Sequence, residues 1–386
     1  MMLSLVGGRV LLEDGTIGET DIHIEGGLIS GIDDTRSNGK SAWNVRGYLV
    51  LPAVIDLHGD AFERQIMPRP GVHFPLDLAL QETDSQMISN GISTAFYGIT
   101  YSWEPGLRGR DTAVELLDAL DTIRPHLVCD TRVHLRWETY NTPGADDVAE
   151  WIETGRIDLL AFNDHLDMIQ NALTNPQKLA KYASRSGLST DAFIQLVGDV
   201  AARKNEVDAH TARLAKIAER YDIPCASHDD ESPEMRGQYH KLGVSICEFP
   251  VNAETARFSI ANGDPVIMGA PNVLRGGSHC NRLCAATAAR EGLCSILTSD
   301  YYYPALLRAP FKLAADGVTD FATAWHMVSK NPAHAAGLED RGTLSKGQRA
   351  DIVVIDDSNP NCVRVIATFV AGKPVYMFDA GYRMCA

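Results

Sequence analysis

Residues 51–64, LPAVIDLHGDAFER, are a short apolar stretch that ends in two polar side chains, His58 and Asp60. The apolar part predicts a buried strand. Side chains two positions apart on a strand point to the same side, so the imidazole and the carboxylate converge on one point. Such a pair suits a metal ion and also suits a buried hydrogen bond. The pattern by itself leaves both interpretations open.

The composition is that of an ordinary globular protein. The chain has 386 residues, of which 45% are hydrophobic and 22% are charged. This length leaves room for a barrel of about 250 residues and a smaller module. There is no run of about 18 apolar residues, no signal peptide and no C-x-x-C pair, so we expect a reduced cytoplasmic protein without a membrane segment. The net charge of −15 argues against nucleic-acid or membrane partners, but it permits an anionic small molecule where arginines are present.

Beyond residue 50 the sequence alternates short apolar strands with helix-like segments, which is typical of βα units around a parallel sheet. Eight strand candidates occur there: LPAVIDLHGD, GISTAFYGIT, TRVHLRWET, RIDLLAFNDH, IPCASHDD, VSICEFP, DPVIMGAPN and CSILTSD. Residues 191–222 have the pattern of one long amphipathic helix. We therefore predict an α/β fold, a (β/α)8 TIM-type barrel.

The two ends of the chain have a different pattern. Residues 1–50 contain strand-like runs separated by Gly and Asp turns, and residues 341–386 return to that pattern. We predict that 1–50 and 341–386 together build a small β-sandwich, and that 51–340 form the barrel inserted between them.

Polar residues follow several of the predicted barrel strands. In a parallel barrel the carboxyl ends of the strands meet at one rim, where active sites lie. The expected rim residues are His58, Asp60, Glu138, His165, His228, Asp229, Asp230, Glu248 and Asp300. Each has an ordinary explanation as a cap or a loop hydrogen bond, but chance would scatter such residues over both strand ends. Imidazole and carboxylate are the ligands of a borderline divalent metal, so the set predicts a metal site.

Several motifs carry a resemblance to a known family. The strand-like termini, LPAVIDLHGD, the late SD strand and NPAHAAGLEDRGTLSKGQRADIVVID resemble the amidohydrolase superfamily over nearly the whole chain. DLHGDAFERQIMPRPGVHFP, VHLRWE, FNDH, ASHDD, EFP, MGAPNVLRGGSH and LTSDYYYPALL are similar to the branch of that superfamily that acts in phosphonate utilisation. The superfamily normally has H-x-H at the first strand, where this chain has H-x-D. The branch reads H-T-D-N, where residues 58–61 read HGDA.

The resemblance implies one or two divalent metal ions, of zinc, manganese or iron, and a hydroxide nucleophile. The implied ligands of the more buried ion are His58, Asp60, Glu138 and Asp300, and those of the second ion are Glu138 as a bridge, His165 and His228. Asp300 and His228 are the expected catalytic residues, with Asp300 accepting the proton of the attacking water.

An anionic substrate requires cations at the rim. The segment that follows the seventh strand offers an arginine fork and glycine amides to a phosphate, with a helix beginning nearby. Its residues are Arg275, Gly276, Gly277, Ser278 and His279. Arg64, Arg69, Arg136 and Arg308 are further candidates, and each arginine could equally form a surface salt bridge.

The resemblance to the phosphonate branch implies hydrolysis of a triphosphate on a ribosyl phosphonate, which releases pyrophosphate and leaves a 5-phosphate. One alternative keeps the metal site and changes the bond: a deaminase or a cyclic-amide hydrolase acting on a small substrate. A second alternative is a catalytically silent barrel that serves as a subunit or scaffold. We expect a small phosphorylated substrate as the binding partner and a homodimer as the oligomeric state.

Overall fold

The computed structural model describes residues 2–33, 41–69, 71–277, 282–360 and 362–378. Ser278 and His279, two of the expected phosphate-binding residues, lie outside this part of the chain. The chain divides into two compact units. The first unit comprises Met1–Ala95, His126–Thr131 and Ile267–Ala386, and the second comprises Phe96–Pro125 and Arg132–Val266. The predicted limits at residues 50 and 340 stay a prediction.

The strands belong to two sheets. Those of the first sheet are β1 (Met2–Leu11), β2 (Ile17–Glu25), β3 (Leu28–Ile32), β4 (Ser41–Asn44), β5 (Leu49–Pro52), β14 (Ile352–Asp356), β15 (Arg364–Val370) and β16 (Lys373–Met377). Those of the second sheet are β6 (Val54–Gly59), β7 (Ile92–Tyr101), β8 (Asp130–Glu138), β9 (Leu159–Asn163), β10 (Cys225–His228), β11 (Ile246–Glu248), β12 (Val266–Gly269) and β13 (Ile296–Thr298).

The helices lie mainly between the strands of the second sheet. They are α1 (Glu63–Ile66), α2 (Leu76–Ser89), α3 (Arg110–Ile123), α4 (Ala145–Glu153), α5 (Leu166–Ala172), α6 (Pro176–Ser186), α7 (Thr190–Ala201), α8 (Lys204–Arg220), α9 (Pro233–Lys241), α10 (Ala253–Ala261), α11 (Ala270–Arg275), α12 (Ala285–Arg290), α13 (Tyr303–Ala315), α14 (Phe321–His326) and α15 (Lys330–Ala335). Among the described residues, no helix combines the length and the apolar character that crossing a membrane requires.

The first sheet is built from both ends of the chain, as predicted. Its strands follow the order β16-β15-β14-β5-β1-β2-β3, and β4 pairs with β1. Strand β14 runs antiparallel to β5, which joins the C-terminal strands to the N-terminal ones. Gly26 and Gly27 have positive φ angles of 62° and 88°, which allows the tight turn between β2 and β3. Leu5, Ile22 and Phe369 are buried in one core cluster on this sheet.

The second sheet contains eight strands in chain order from β6 to β13, with helices between them. Its strands are almost wholly buried, which is expected when helices cover a parallel sheet. The last strand returns to the first: Gly59 and Asp300 form a parallel bridge. All eight strand candidates from the sequence are present, and the predicted (β/α)8 barrel fold is confirmed.

The prediction of one helix over residues 191–222 is wrong. The chain forms two helices, α7 and α8, with a break at Ala202 and Arg203. Helix α7 packs into an apolar cluster with α5 and α6 through Phe193 and Val197, whereas α8 packs on α4. Because the two apolar faces are buried against different neighbours, one straight helix could not serve both.

Candidate functional site

Three predicted ligands lie together on the rim of the first unit. His58 is on β6, Asp60 follows that strand, and Asp300 follows β13. The amide of Asp300 donates a hydrogen bond of 2.9 Å to the His58 carbonyl, and the amide of Asp60 donates one of 3.0 Å to the Asp300 carbonyl. These backbone bonds hold the two strand ends side by side, so that an imidazole and two carboxylates occupy one edge of the unit.

The backbone at this edge is unusually constrained. Asp300 has a φ of 53°, a left-handed conformation that a residue other than glycine adopts at some cost. A Cβ atom at Gly59 would lie 2.9 Å from Asp56 Oδ2 and 3.0 Å from Ser299 Oγ. The glycine between the two predicted ligands is therefore required by close packing.

Asp56 lies two residues before His58 and is fully buried. Its carboxyl accepts hydrogen bonds from the amides of His58, at 3.3 Å, and Ser299, at 3.0 Å. Burial raises the pKa of Asp56, against the opposing effect of these hydrogen bonds and of the Ser299 hydroxyl. Asp56 thus connects β6 to the end of β13 directly behind the rim residues.

In the second unit, Glu138 and His165 form a close pair. Glu138 ends β8, and His165 lies between β9 and α5. Nδ1 of His165 is 2.6 Å from Oε1 of Glu138. Burial opposes ionisation of Glu138, but the charge and hydrogen bonds of His165 outweigh it and lower the pKa to about 2. Burial opposes protonation of His165, but Glu138 and Asp229 outweigh it and raise the pKa of His165 to about 9.

His228 continues the same network from the end of β10. Its Nδ1 lies 2.8 Å from Oε2 of Glu248, which ends β11, and its Nε2 lies 3.7 Å from Oδ1 of Asp229. The rings of His165 and His228 are 5.5 Å apart between centroids. Burial lowers the pKa of His228, although Asp229 and Glu248 oppose the shift. The neutral imidazole, which is the form that binds metal, is thereby favoured.

The donor set of the second unit fits a divalent cation. Ligand atoms of His165, His228 and Asp229 all lie within 4.8 Å of one another. Glu138 adds a buried carboxylate beside His165. Imidazole nitrogens and carboxylate oxygens are ligands that zinc, manganese and iron accept. The carboxylates bonded to His165 and His228 can also fix the orientation and tautomer of each ring.

Sequence reasoning missed some members of this network. His134 is fully buried, with Nε2 4.0 Å from Oε2 of Glu248. It precedes Arg136 and Glu138 at even spacing on β8, so all three share one face of the strand. This even spacing is the sequence signal that His134 lies on the same strand face as Glu138. Asp229 and Glu248 were expected at the rim, but no ligand role was assigned to them.

The arginine candidates have different surroundings. Arg64 donates a hydrogen bond to the carbonyl of Tyr301, and its guanidinium lies 5.8 Å from the centre of the Tyr301 ring. Arg275 Nη1 lies 3.1 Å from the Tyr301 hydroxyl. Arg136, in the second unit, is buried with Nη2 3.4 Å from Nε2 of His228. Arg69 is exposed, and its backbone pairs with that of Val72.

The glycines after Arg275 do not have the expected role. Helix α11 ends at Arg275, and Gly276 is its C-cap in the left-handed region with a φ of 77°. The Gly276 amide donates to the carbonyl of Val273, and the Gly277 amide donates to that of Asn272. These amides close a helix C-terminus, where the dipole is negative, and they are not available to a phosphate.

Comparisons with known proteins agree with the fold. A model of the amidohydrolase family matches residues 301–376. The chain is 30% identical over 377 residues to alpha-D-ribose 1-methylphosphonate 5-triphosphate diphosphatase of Escherichia coli (strain K12), an alignment that covers 95% of this chain and 98% of that protein. It is 26% identical to an adenine deaminase of Brucella suis biovar 1 (strain 1330) over 96% of this chain and 58% of that protein.

The fold is also found in solved structures. The crystal structure of 5-methylcytosine deaminase from Klebsiella pneumoniae superposes with a TM-score of 0.63 at 14% identity, covering 98% of each chain. At this identity the likeness shows a shared fold. The full-length similarity to the Escherichia coli diphosphatase shows that the chain belongs to the amidohydrolase superfamily.

Proposed function

We propose that the protein is a metal-dependent diphosphatase that cleaves the triphosphate of alpha-D-ribose 1-methylphosphonate 5-triphosphate, releasing pyrophosphate and leaving the 5-phosphate. The similarity to the Escherichia coli enzyme, over nearly the full length of both chains, supports this substrate. The observation that carries the proposal is the convergence of Arg64 and Arg275 on Tyr301, the residue after Asp300.

The two arginines answer an electrostatic requirement. A triphosphate carries several negative charges, and a chain with a net charge of −15 repels it unless cations lie at the site. Arg64 and Arg275 approach the backbone and the hydroxyl of one tyrosine. Each guanidinium can offer further N–H donors to phosphate oxygens beside its contact with Tyr301.

We assign the metal-binding role in the first unit to His58, Asp60 and Asp300. In the second unit we assign it to Glu138, His165 and His228, to which the geometry adds Asp229. A divalent ion held by such residues would activate water at neutral pH and polarise a phosphoryl oxygen. Asp300 then acts as the acceptor for the proton of the attacking water, and the arginines hold the triphosphate chain in line.

The test is phosphorus NMR of the purified protein with this triphosphate in ¹⁸O-labelled water. Attack at the α-phosphorus places the label in the 5-phosphate product and leaves pyrophosphate unlabelled. A label in pyrophosphate would contradict the position of attack. A triphosphate left intact, in protein shown to contain metal, would refute the proposed substrate.

A deaminase is the second candidate, because the adenine deaminase relatives align over nearly all of this chain. A neutral purine needs few cations, so this function leaves the pair Arg64 and Arg275 without a role. Ammonia release from adenine, measured with the same protein preparation, distinguishes the two functions. Ammonia without any phosphorus chemistry would favour the deaminase.

A further inference from the structure

Arg236 on α9 is a fully buried guanidinium behind the second sheet. Removing a guanidinium from water is unfavourable unless its donors are paired, and here they are. Nη2 donates to Asp264 Oδ2 at 2.8 Å and to the carbonyl of Val244, and Nη1 donates to the carbonyl of Ile246 at 3.2 Å. The Arg236 side chain therefore contacts the backbone at the start of β11 and the carboxylate of Asp264, which precedes β12.

The same guanidinium also reaches β10, the strand that carries His228. Arg236 Nη1 donates to the Ser227 hydroxyl at 2.5 Å, and that hydroxyl donates to Asp230 Oδ2 at 2.6 Å. Ser227 precedes His228, so its side chain points to the opposite face of the strand. The hydrogen bonds from Arg236 to Ser227 and from Ser227 to Asp230 therefore hold the two residues that flank His228 and Asp229 in the sequence.

That pair needs to be held, because the backbone there is strained. Asp229 has a φ of 61°, in the left-handed region. Such a conformation is unfavourable for a residue other than glycine and persists only where the surroundings impose it. The Asp229 amide donates to the Glu248 carbonyl at 2.9 Å, and the Asp230 carbonyl accepts from Val251 at 3.0 Å. These bonds fix the backbone on the β11 side, and Ser227 with Arg236 fixes it on the α9 side.

We infer that Arg236 is a positioning residue, which acts through Ser227 and Asp230 to hold His228 and Asp229 in the geometry that binds metal. The inference rests on the proposed ligand role of His228 and does not depend on which bond the enzyme hydrolyses. It predicts that Ser227→Ala, which removes the hydroxyl between Arg236 and Asp230, weakens metal binding at His228 and Asp229.

The competing explanation is that the ion pairs of Arg236 only stabilise the fold. Arg341 provides the control for this explanation. Arg341 in the first unit is nearly buried too, with Nη1 2.5 Å from Asp130 Oδ2 and Nε 2.7 Å from Asp340 Oδ1. Arg341→Lys disturbs a comparable charge cluster in the first unit. If both arginines only stabilise the fold, Arg236→Lys and Arg341→Lys will lower the melting temperature and leave metal affinity unchanged.

The experiment measures zinc affinity by competition with a chromogenic chelator for wild type, Ser227→Ala, Arg236→Lys and Arg341→Lys. Hydrogen exchange of the peptide covering residues 225–231 is followed in the same zinc-free proteins. We expect Ser227→Ala and Arg236→Lys to bind zinc about 10-fold more weakly, in line with the loss of groups that orient metal ligands, and to exchange faster in that peptide. Arg341→Lys should change neither.

Unchanged zinc affinity and unchanged exchange in Ser227→Ala would overturn the inference, and this variant decides the matter if Arg236→Lys fails to fold. If the wild-type chain binds no zinc, the exchange result alone decides the positioning role. Catalytic failure with adenine and with the triphosphate would bear on the proposed function and not on this inference.

Discussion

The amide of Asp300 donates a hydrogen bond of 2.9 Å to the carbonyl of His58. This one bond joins the end of the eighth barrel strand to the end of the first, although the two residues are far apart in sequence. It brings the proposed base next to a proposed metal ligand. The left-handed backbone of Asp300 follows from the same closure, because the chain must turn sharply after pairing with β6.

Replacement of Asp300 by asparagine should remove the proton acceptor while keeping the shape of the side chain. We expect turnover of the triphosphate to fall by at least about 10²-fold, which is a typical contribution of a general base. Steady-state kinetics measure the loss, and circular dichroism checks the fold. Asp316→Asn, at an exposed pair with Lys312, is the control. Near-normal turnover in Asp300→Asn would show that another group accepts the proton.

Metal content should follow the imidazole ligands. Protein purified without chelator is expected to hold one or two transition-metal ions per chain, as members of this superfamily do. A harder carboxylate at Asp60, where the superfamily has histidine, favours manganese or iron over zinc. His228→Asn should lose metal by elemental analysis, and dialysis against a chelator should abolish wild-type activity. An active, metal-free wild type would contradict the metal site.

Arg275→Ala should weaken binding of the triphosphate, because one of the two cations beside Tyr301 is removed. We expect a rise in KM of at least about 10-fold, since a hydrogen bond to a charged group contributes about 1.5–3 kcal/mol. Initial-rate kinetics give KM and kcat separately, and Arg64→Ala is expected to act in the same direction. Arg290→Ala, at an exposed helix end in the same unit, should have no effect. An unchanged KM in Arg275→Ala would remove the electrostatic support for the phosphate ester.

Gly59→Ala should destabilise the fold and weaken metal binding, although it adds only one methyl group. Its Cβ would lie 2.9 Å from Asp56 Oδ2 and 3.0 Å from Ser299 Oγ, both in the buried interior. We expect a loss of about 1–3 kcal/mol in the free energy of unfolding, the usual range for overpacking, together with weaker metal binding. Gly198→Ala is the control, because a Cβ added there in α7 would meet no neighbouring group within 4 Å outside its own helix backbone, and alanine favours helix. Equal stability of the two variants in urea denaturation would contradict the packing argument.

The stability of the second unit should depend on pH through Asp147. Hydrogen bonds from Arg110 lower the pKa of Asp147 against the opposing effect of burial, and the Tyr101 hydroxyl adds to the lowering. A carboxyl with a lowered pKa stabilises the fold above its unfolded pKa of about 3.9, and that stability is lost as pH falls through the lower folded value. The melting-temperature difference between wild type and Asp147→Asn should therefore be full at neutral pH and shrink below about pH 4. A difference that stays constant down to acidic pH would contradict this role.

The sequence by itself determined the strands and the chemistry of their ends. Apolar runs such as LPAVIDLHGD and CSILTSD are local signals, and the polar residue after each run is read directly from the chain. The same reasoning identified His58, Glu138, His165, His228 and Asp300 as rim residues. Their roles as ligands and base stay predictions, for which the geometry within each unit supplies support.

The tertiary structure alone decided which groups are neighbours. The break between α7 and α8 arises because their apolar faces are buried by different partners, which periodicity does not reveal. The glycines after Arg275 resemble an anion-binding turn in sequence, but in the fold they terminate a helix. Arg236 reads as an ordinary polar residue of an amphipathic helix, yet it is fully buried among strand ends. The physical reason is common to all three: burial and hydrogen-bond partners depend on contacts between residues distant in sequence, which are set only when the sheet closes.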